Sequence, residues 1–460
     1  MLSRAAALAA FLGLLVAMAP STTRGAPGAA PPTLVLILDD DQRADTIQYM
    51  PVLQRELVAR GVTFTNAFVT TPLCCPSRAS LLRGQYAHNT GVLTNGGGDR
   101  RGNREGHHPG GAEAFDDRST LATWLRGTGY RTALFGKYLN GYMGLTTRVP
   151  PGWEEWVVFA GGYFGYRLND NGTVRRMGNA PDEYGTDVIT RRAVQFIERG
   201  GSSPLFVYLA PFAPHAPATP HPQDAAAFRD LAPWRPPSYN EADVSDKPEW
   251  VRRLPALTAA RQAQGDEFRR QQLRALQAVD RSIRQVIDAL SRTGRLENAV
   301  IVFTADNGLS WGEHRWLDRK SCPYEECVRV PFVVRGPGFA SGRTEARFVH
   351  NIDLAPTFAD LAGVRPGLTV DGRSLVPLLR GATAAWRTEI LLEYWGQPAQ
   401  TWTAIRTERW KYVEYENGDR ELYDFSADPY EMTNVVTSPQ AAGVLPDLRR
   451  RLELLRREGR

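Results

Sequence analysis

Three groups of polar side chains stand directly after short apolar runs of this 460-residue chain. The groups are Asp39-Asp40-Asp41 after residues 33–38, His215 after residues 204–211, and Asp306-Asn307 after residues 299–305. Apolar runs separated by helical patterns predict buried parallel strands, and ligands gather at the carboxyl ends of such strands. The carboxylates and the amide offer hard oxygen atoms, which suit Ca²⁺ or Mg²⁺ better than zinc. Acidic pairs after a strand are also common turn and cap residues, so the residues alone leave both interpretations open.

The segment from Cys74 to Gly84 is a second candidate for chemistry. Pro76 suits the first turn of a helix, and Gly84 can end that helix. Cys74 then stands just before a helix N-terminus, where free N–H groups and the helix dipole favour an anion, and Arg78 adds a positive charge one turn later. A buried cysteine beside a surface arginine would fit the same letters. A thiolate phosphatase fits poorly, because its loop needs an arginine at a later position than this segment provides.

The same segment carries a family resemblance. Between Cys74 and Gly84 stands every fixed position of C-x-P-S-R-x-x-L-x-x-G, the signature of the sulfatase family, and the sequence resembles that family over nearly its whole length. Further matching segments are residues 330–338, 353–357, 410–412 and 422–424. Residues 136–140 and the Cys-Cys-Pro-Ser-Arg run look most like N-acetylglucosamine-6-sulfatases and their glycosaminoglycan-acting relatives.

The resemblance implies how residue 74 and a metal site are built. In sulfatases the first cysteine of the signature is oxidised to formylglycine by a separate generating enzyme before folding is complete. The metal is held by an Asp-Asp pair after the first strand and by a later Asp-Asn or Asp-His pair. The matching metal ligands here are Asp40, Asp41, Cys74 as formylglycine, Asp306 and Asn307. Ca²⁺ is expected in preference to Mg²⁺.

The resemblance also implies a set of catalytic residues. They are expected to be Cys74, Arg78, Lys137, His215 and Lys320. A developing sulfate dianion needs cations and hydrogen-bond donors that are already in place, and these side chains would supply them. Many sulfatases carry a histidine two residues after the lysine of this motif, where this chain has Leu139, so the role of that histidine is unassigned here. His314 is expected either near the substrate or in a structural position.

The expected activity is hydrolysis of sulfate esters of sugars or glycosaminoglycan-type substrates, with N-acetylglucosamine 6-sulfate as one candidate. One hydroxyl of the hydrated formylglycine would attack sulfur, His215 or Lys320 would protonate the leaving alcohol, and the second hydroxyl would expel sulfate. Two alternatives remain. One is a phosphoester or phosphonate hydrolase of the same superfamily, and the other is a non-catalytic binder of sulfated polysaccharide in which Cys74 stays a thiol.

The order of apolar runs and helical patterns predicts an α/β fold with a large, mostly parallel sheet covered by helices on both faces. The resemblance makes that fold alkaline phosphatase-like. Alternating apolar and polar residues after about residue 385 predict a small antiparallel sheet with a terminal helix. We expect a catalytic domain at residues 30–383 and a C-terminal subdomain at residues 384–460. Residues 91–113, rich in glycine and charge, are predicted to form a mobile loop.

Residues 1–28 have the layout of a secretory signal peptide, so the protein is expected to be secreted or periplasmic, without a stable membrane span. The net charge of +5 favours an acidic substrate slightly, but no basic stripe with interleaved aromatic residues indicates nucleic-acid binding. Cys322 and Cys327 could close a small disulfide loop in an oxidising compartment. The spacing of the histidines makes a zinc site an unlikely alternative.

Overall fold

The first predicted strand forms as strand β1 (Thr33–Asp39), and all of its residues are buried. Alternate side chains of β1 enter two separate apolar cores, with Leu34 and Leu36 on one face of the sheet and Val35 and Ile37 on the other. A strand that is buried on both faces has a continuous apolar sequence, which explains why this segment shows no polar alternation.

The structure is a computed structural model, and it describes residues 30–96, 108–145, 147–383 and 385–458. The predicted signal peptide lies outside the described residues, and so does the middle of the predicted glycine-rich loop, residues 97–107. Residues 31–460 form one compact unit. Among the helices of the described residues, none combines the length and the apolar character that crossing a bilayer requires.

The strands of the described residues form one large sheet and three smaller ones. They are β1 (Thr33–Asp39), β2 (Val62–Phe64), β3 (Ala67–Phe68), β4 (Arg131–Lys137), β5 (Glu155–Phe159), β6 (Arg167–Asp170), β7 (Thr173–Arg176), β8 (Leu205–Ala210), β9 (Ala299–Ala305), β10 (Ser310–Trp311), β11 (Leu317–Arg319), β12 (Phe332–Arg335), β13 (Arg343–Glu345), β14 (Val349–His350), β15 (Glu389–Tyr394), β16 (Trp402–Thr407), β17 (Trp410–Tyr415) and β18 (Arg420–Asp424).

The large sheet has the strand order β13-β2-β12-β9-β1-β8-β4-β5-β6-β7. Its five central strands, from β9 to β5, are parallel to one another, whereas β12 pairs antiparallel with β9, β6 with β5, and β7 with β6. In the parallel pairing of β1 with β9, Asp39 lies opposite Ala305. The mostly parallel sheet predicted from the sequence is therefore confirmed, and the two acidic segments leave it side by side.

Helices cover both faces of this sheet. The α-helices are α1 (Pro51–Leu53), α2 (Cys74–Arg83), α3 (Ala87–Thr90), α4 (Gly111–Ala114), α5 (Leu121–Arg126), α6 (Gly185–Glu198), α7 (Glu249–Arg252), α8 (Ala259–Arg292), α9 (Glu325–Val328), α10 (Leu354–Ala362), α11 (Val376–Leu379), α12 (Pro439–Ala442) and α13 (Leu445–Leu455). Helices α6 and α8 contribute to the apolar core on one face, and α2, α5 and α10 contribute to the core on the other.

The predicted C-terminal sheet is confirmed as four antiparallel strands in the order β15-β16-β17-β18. One face of this sheet carries Leu391 and Tyr412 and packs against the terminal helix α13 through Leu448 and Leu452. The other face carries Trp402 and belongs to a core that also contains aromatic residues from earlier segments. The C-terminal sheet is therefore buried on both faces. The boundary predicted at residues 383 and 384 stays a prediction.

Two further expectations can be compared with the structure. Cys322 and Cys327 form the predicted disulfide, while Cys74 and Cys75 are free thiols. The end of the predicted mobile loop packs more tightly than expected, because α4 is largely buried and the Ala112 N–H donates to the Asn140 carbonyl at 2.8 Å. A short stretch of small residues can pack in this way once its backbone hydrogen bonds are satisfied.

Candidate active site

The residues that follow β1 and β9 meet at the carboxyl edge of the large sheet. The backbone N–H of Asp41 donates to Asp306 Oδ1 at 3.1 Å, and Asn307 Nδ2 donates to Asp41 Oδ1 at 2.7 Å. Asp40, Asp306 and Asn307 are at most 1% exposed, and Asp41 is 4% exposed. The parallel register of the two strands is what brings these four side chains together, as the sequence predicts.

Cys74 is the first residue of helix α2, rather than the residue before it. The helix begins after Leu73, which has an extended backbone, and it ends at Gly84, whose φ of 66° suits glycine. The Cys74 thiol lies 3.4 Å from Asp40 Oδ1 and 3.9 Å from Asp41 Oδ1. Its sulfur is therefore directly above the acidic pair.

Helix α2 is held in place by buried polar contacts as well as by its apolar face. Asn351 Nδ2 donates to the Ser77 carbonyl at 3.1 Å and to its hydroxyl at 2.9 Å, and the Cys75 N–H donates to Asn95 Oδ1 at 2.8 Å. Every residue of the helix from Cys74 to Leu82 is buried. The position of the Cys74 sulfur is thus fixed by the surrounding structure.

Arg78 ties helix α2 to two strand ends. Its Nε donates to Asp306 Oδ2 at 2.7 Å, and its Nη1 donates to the carbonyl of Lys137 at 2.8 Å. Its Nη2 lies 3.9 Å from Asp40 Oδ2 and has no hydrogen-bond partner among the described residues. One N–H face of the guanidinium therefore remains available beside the acidic pair.

Two lysines and one histidine complete the predicted set around residue 74. Lys137, the last residue of β4, donates to Asp40 Oδ2 at 2.5 Å and is 1% exposed. Lys320 donates to the Cys74 sulfur at 2.7 Å and also contacts Asp41 Oδ1. His215 Nε2 lies 3.6 Å from Asp41 Oδ2. All the residues predicted for catalysis and metal binding thus lie within one pocket, and their roles remain proposals.

The charges of this pocket are strongly coupled. Burial alone would raise the pKa of Asp40, but Lys137, His215 and Arg78 outweigh it and lower that pKa to about 2. Burial and the neighbouring Asp40 raise the pKa of the Cys74 thiol to about 12, despite the two lysines. An unmodified Cys74 is therefore a neutral thiol at physiological pH, which argues against a thiolate nucleophile.

The donor set fits a hard divalent cation. Oxygen, sulfur or nitrogen atoms of Asp40, Asp41, Cys74 and His215 all lie within 4.8 Å of one another. Asn307 Oδ1 is buried and has no hydrogen-bond partner among the described residues, so it is a free oxygen ligand. Carboxylate and amide oxygens are the ligands that Ca²⁺ and Mg²⁺ prefer. His215 was expected as a cation of the site and as a candidate proton donor, and the structure also places it among the possible metal ligands.

A cavity opens beside this pocket, and its walls come from distant parts of the chain. We call it the aromatic cavity; its volume is about 390 Å³, and its lining includes Trp250, Trp316, Arg319, Lys320, Tyr394 and Trp402. Leu73, which precedes the candidate nucleophile, also lines it. Sequence reasoning did not predict this cavity, and the only signal was the pair of basic residues at 319 and 320.

The structure also locates Leu139 and His314, the two positions whose roles the sequence left open. Leu139 is 2% exposed and belongs to an apolar core, so it does not replace the histidine of other sulfatases in the pocket. His314 is 1% exposed, its Nδ1 lies 2.7 Å from Glu241 Oε2, and its ring centroid lies 4.1 Å from that of Tyr324, with the two rings tilted by 32°. Those contacts favour the structural position for His314.

We call the site formed by residues at the carboxyl ends of β1, β4, β8 and β9, together with Cys74, Arg78 and Lys320, the strand-end pocket. The fold and this pocket define an alkaline phosphatase-like α/β protein. Residues 32–364 match the family model described as Sulfatase, and residues 312–458 match the model described as N-sulphoglucosamine sulphohydrolase, C-terminal. Since the first match covers more than half of the chain, this chain belongs to the sulfatase family. The resemblance to sulfatases drawn from the signature segment is confirmed.

Individual relatives refine this comparison. The extracellular sulfatase SULF-1 homolog of Drosophila melanogaster is 36% identical over 383 residues, which are 80% of this chain but 33% of that protein. The N-acetylglucosamine-6-sulfatase of Capra hircus is 32% identical over 464 residues and is matched over 81% of its length. Among solved structures, that of BT4656 in complex with its substrate D-glucosamine-2-N,6-O-disulfate aligns with a TM-score of 0.80 at 24% identity. The alignment covers 93% of this chain and 98% of that one, so the two proteins share the fold. This chain therefore spans about one third of the fly protein and most of the goat enzyme.

Proposed function

We propose that this protein hydrolyses sulfate esters of sugars, with sulfated glucosamine of the glycosaminoglycan type as the favoured substrate class. The observation that carries the proposal is the convergence of Arg78, Lys137 and Lys320 on Cys74 and its acidic neighbours, in a member of the sulfatase family. The substrate class is supported by the names of relatives, among them the goat N-acetylglucosamine-6-sulfatase and BT4656 with its disulfated glucosamine.

The pocket suits the metal ion and the formylglycine that the resemblance to sulfatases implies. Asp40, Asp41, Asp306, Asn307 and residue 74 would hold the cation, for which we propose Ca²⁺. A formylglycine made from Cys74 by a separate generating enzyme would supply a hydroxyl nucleophile, and the cation would supply positive charge to activate it and to neutralise sulfate oxygens.

The remaining steps belong to side chains of this chain. Lys137, Lys320 and the free Nη2 of Arg78 are already oriented around residue 74, so a bound sulfate would meet fixed positive charge without reorganisation. For protonation of the leaving sugar oxygen we propose His215 or Lys320.

We also propose that the protein acts outside the cytoplasm, in a periplasm or in the medium. The predicted signal peptide supports export, and the Cys322–Cys327 disulfide is typical of oxidising compartments. The fly relative is named as extracellular.

The test uses purified protein and a matched pair of substrates, 4-nitrophenyl sulfate and 4-nitrophenyl phosphate. We expect turnover of the sulfate to exceed that of the phosphate by at least about tenfold, because the pocket is proposed to select a sulfate ester. Cys74→Ala is expected to lose at least about 10³-fold in kcat, since the nucleophile is removed. Mass spectrometry of the peptide containing residue 74 distinguishes aldehyde from thiol.

Cys75→Ala is the matched control, because it removes an adjacent buried thiol that the proposal does not use. It should keep kcat within about threefold of the unmodified protein. A faster reaction with the phosphate would favour the phosphoester hydrolase. A residue 74 that remains a thiol in protein made alongside a generating enzyme, with no turnover, would favour the binder of sulfated polysaccharide.

A further inference from the structure

The aromatic cavity meets the candidate nucleophile through Lys320. The Lys320 side chain lines the cavity, and its ammonium group also donates to the Cys74 sulfur. Pockets that enclose small molecules have volumes of roughly 300–1,000 Å³ and walls that are mostly apolar or aromatic with a few polar groups. The aromatic cavity has both properties, so it is the natural place for the group that carries the scissile sulfate ester.

Arg319 contributes a second positive charge to this cavity. Its guanidinium carbon lies 5.0 Å from the centroid of the Trp316 ring, which holds the side chain by a cation–π contact. The side chain makes no ion pair and donates no hydrogen bond within the described part of the chain, whereas the neighbouring Arg315 donates to three backbone carbonyls. The N–H groups of Arg319 are therefore free to bind a ligand.

Asp318 is a carboxyl of the same cavity, and within the described residues it makes no ion pair with Arg319. Asp318 Oδ1 is buried without a hydrogen-bond partner among the described residues. The cavity therefore contains two positively charged side chains, Lys320 and Arg319. Within the described residues, Arg319 is not ion-paired with any carboxylate.

We propose that Arg319 binds a second anionic group of the substrate, a sulfate or a carboxylate, while Lys320 meets the ester that is cleaved. This inference rests on the proposed function and narrows it to sugars that carry at least two negative charges. Both side chains line the same cavity, so a single bound sugar or two adjacent sugar rings can contact both cations. The planar guanidinium can donate two parallel hydrogen bonds to such a group.

The experiment compares D-glucosamine-2-N,6-O-disulfate with N-acetylglucosamine 6-sulfate. The first sugar carries a second sulfate on its nitrogen, and the second sugar carries a neutral acetyl group there. We expect the unmodified protein to prefer the disulfate in kcat/KM. Arg319→Ala should lower kcat/KM for the disulfate by about tenfold, mainly through KM, because one charge-assisted interaction is lost. For the monosulfate the loss should be at most about threefold. Arg319→Lys should recover part of the preference, since it restores charge without the planar fork.

Arg450→Ala is the matched control, because Arg450 is an exposed arginine of α13 whose only ion pair within the described residues is with nearby Asp447. It should leave both substrates unchanged. An equal loss for both sugars in Arg319→Ala, or no loss, would overturn the inference while leaving sulfatase activity in place. If the unmodified protein hydrolyses neither sugar nor 4-nitrophenyl sulfate, the proposed function fails separately. Calorimetric binding of both sugars to Cys74→Ala, with and without Arg319→Ala, then decides: equal affinities in the two variants refute the role of Arg319.

Discussion

Two groups of buried charged side chains in this molecule differ in how many of their polar atoms have a hydrogen-bond partner. Under the C-terminal sheet, three tyrosine hydroxyls donate to the carboxylate of Glu421. The donors are Tyr324, Tyr415 and Tyr423, at distances of 2.6 to 2.8 Å. Beside them Lys411 donates to Glu431 at 2.7 Å and to the Pro323 carbonyl at 2.9 Å. We call these residues the tyrosine–glutamate network.

The strand-end pocket has the opposite character. Both carboxyl oxygens of Asp39, Oδ1 of Asn307 and Nη2 of Arg78 are buried without a hydrogen-bond partner among the described residues. Burial, with Asp306 and Asp40, raises the pKa of Asp39 well above its ordinary value. Buried polar atoms are normally satisfied, so unsatisfied ones need an explanation such as a missing ion or ligand.

The comparison teaches how to separate structural from functional charge in a buried site. A closed network stabilises the fold and offers nothing to a ligand, because every donor and acceptor is used. A site with unsatisfied polar atoms, which we call open, lowers the stability of the free protein. The binding of an ion and a substrate then restores that stability. The strand-end pocket is the open one, and that is a physical reason to place the chemistry there.

The largest expected effect comes from removing one charge of the pocket. Lys137→Met should lower kcat for a sulfate ester by about 10²–10³-fold, because a preplaced cation near the developing charge is lost. Asp40 would also lose its closest cation at 2.5 Å, so the free energy of unfolding should fall by roughly 3 kcal/mol. Steady-state kinetics and denaturant unfolding measure the two effects.

The control for this variant is the same substitution in the tyrosine–glutamate network. Lys411 is fully buried, like Lys137, and pairs with Glu431. Lys411→Met should lower stability by a similar amount, about 3 kcal/mol, and leave the kcat of the folded protein within about threefold. If both variants lose kcat equally, the distinction between the two clusters is wrong.

The second effect tests the closed network directly. Glu421→Gln replaces one acceptor oxygen by an amide that donates, so one tyrosine hydroxyl loses its partner. We expect a loss of roughly 2 kcal/mol in the free energy of unfolding, with kcat unchanged in the folded protein. In the double variant Glu421→Gln/Tyr415→Phe the two losses should be less than additive, because both remove one hydrogen bond. Full additivity would show that the two groups do not interact.

The sequence predicted the open pocket far better than the closed network. Asp40 and Asp306 follow continuous apolar runs, and the parallel pairing of such strands leaves little freedom for where their ends meet. Cys74 could be placed because Gly84 and Pro76 mark the helix that carries it. In contrast, Trp250, Tyr394 and Glu421 come from segments far apart in the chain. Which face of a segment such residues present depends on tertiary packing, and no local pattern records it.

The smallest effect concerns Glu326 of α9, an unsatisfied carboxyl outside the pocket. Its Oε1 is buried without a hydrogen-bond partner among the described residues. Burial and Glu313 raise the pKa of Glu326 to about 8, although His314 and Arg43 oppose them. The folded state therefore holds this proton more tightly than the unfolded state. Its contribution to stability is full below about pH 4.5 and is lost as pH rises through about 8.

Glu326→Gln removes that titration. It therefore tests whether an unsatisfied carboxyl outside the strand-end pocket changes stability alone, whereas the carboxyls of the pocket are proposed to serve function. Between about pH 5 and about pH 9 the unmodified protein should lose more stability than the variant, measured by denaturant unfolding. Glu416→Gln, at an exposed position between β17 and β18, should follow the unmodified protein. Parallel pH curves for Glu326→Gln and the unmodified protein would mean that Glu326 is paired when folded. In that case a carboxyl without a hydrogen-bond partner would have no measurable effect on the free energy of unfolding. Unsatisfied atoms in the strand-end pocket would then be weaker evidence for function.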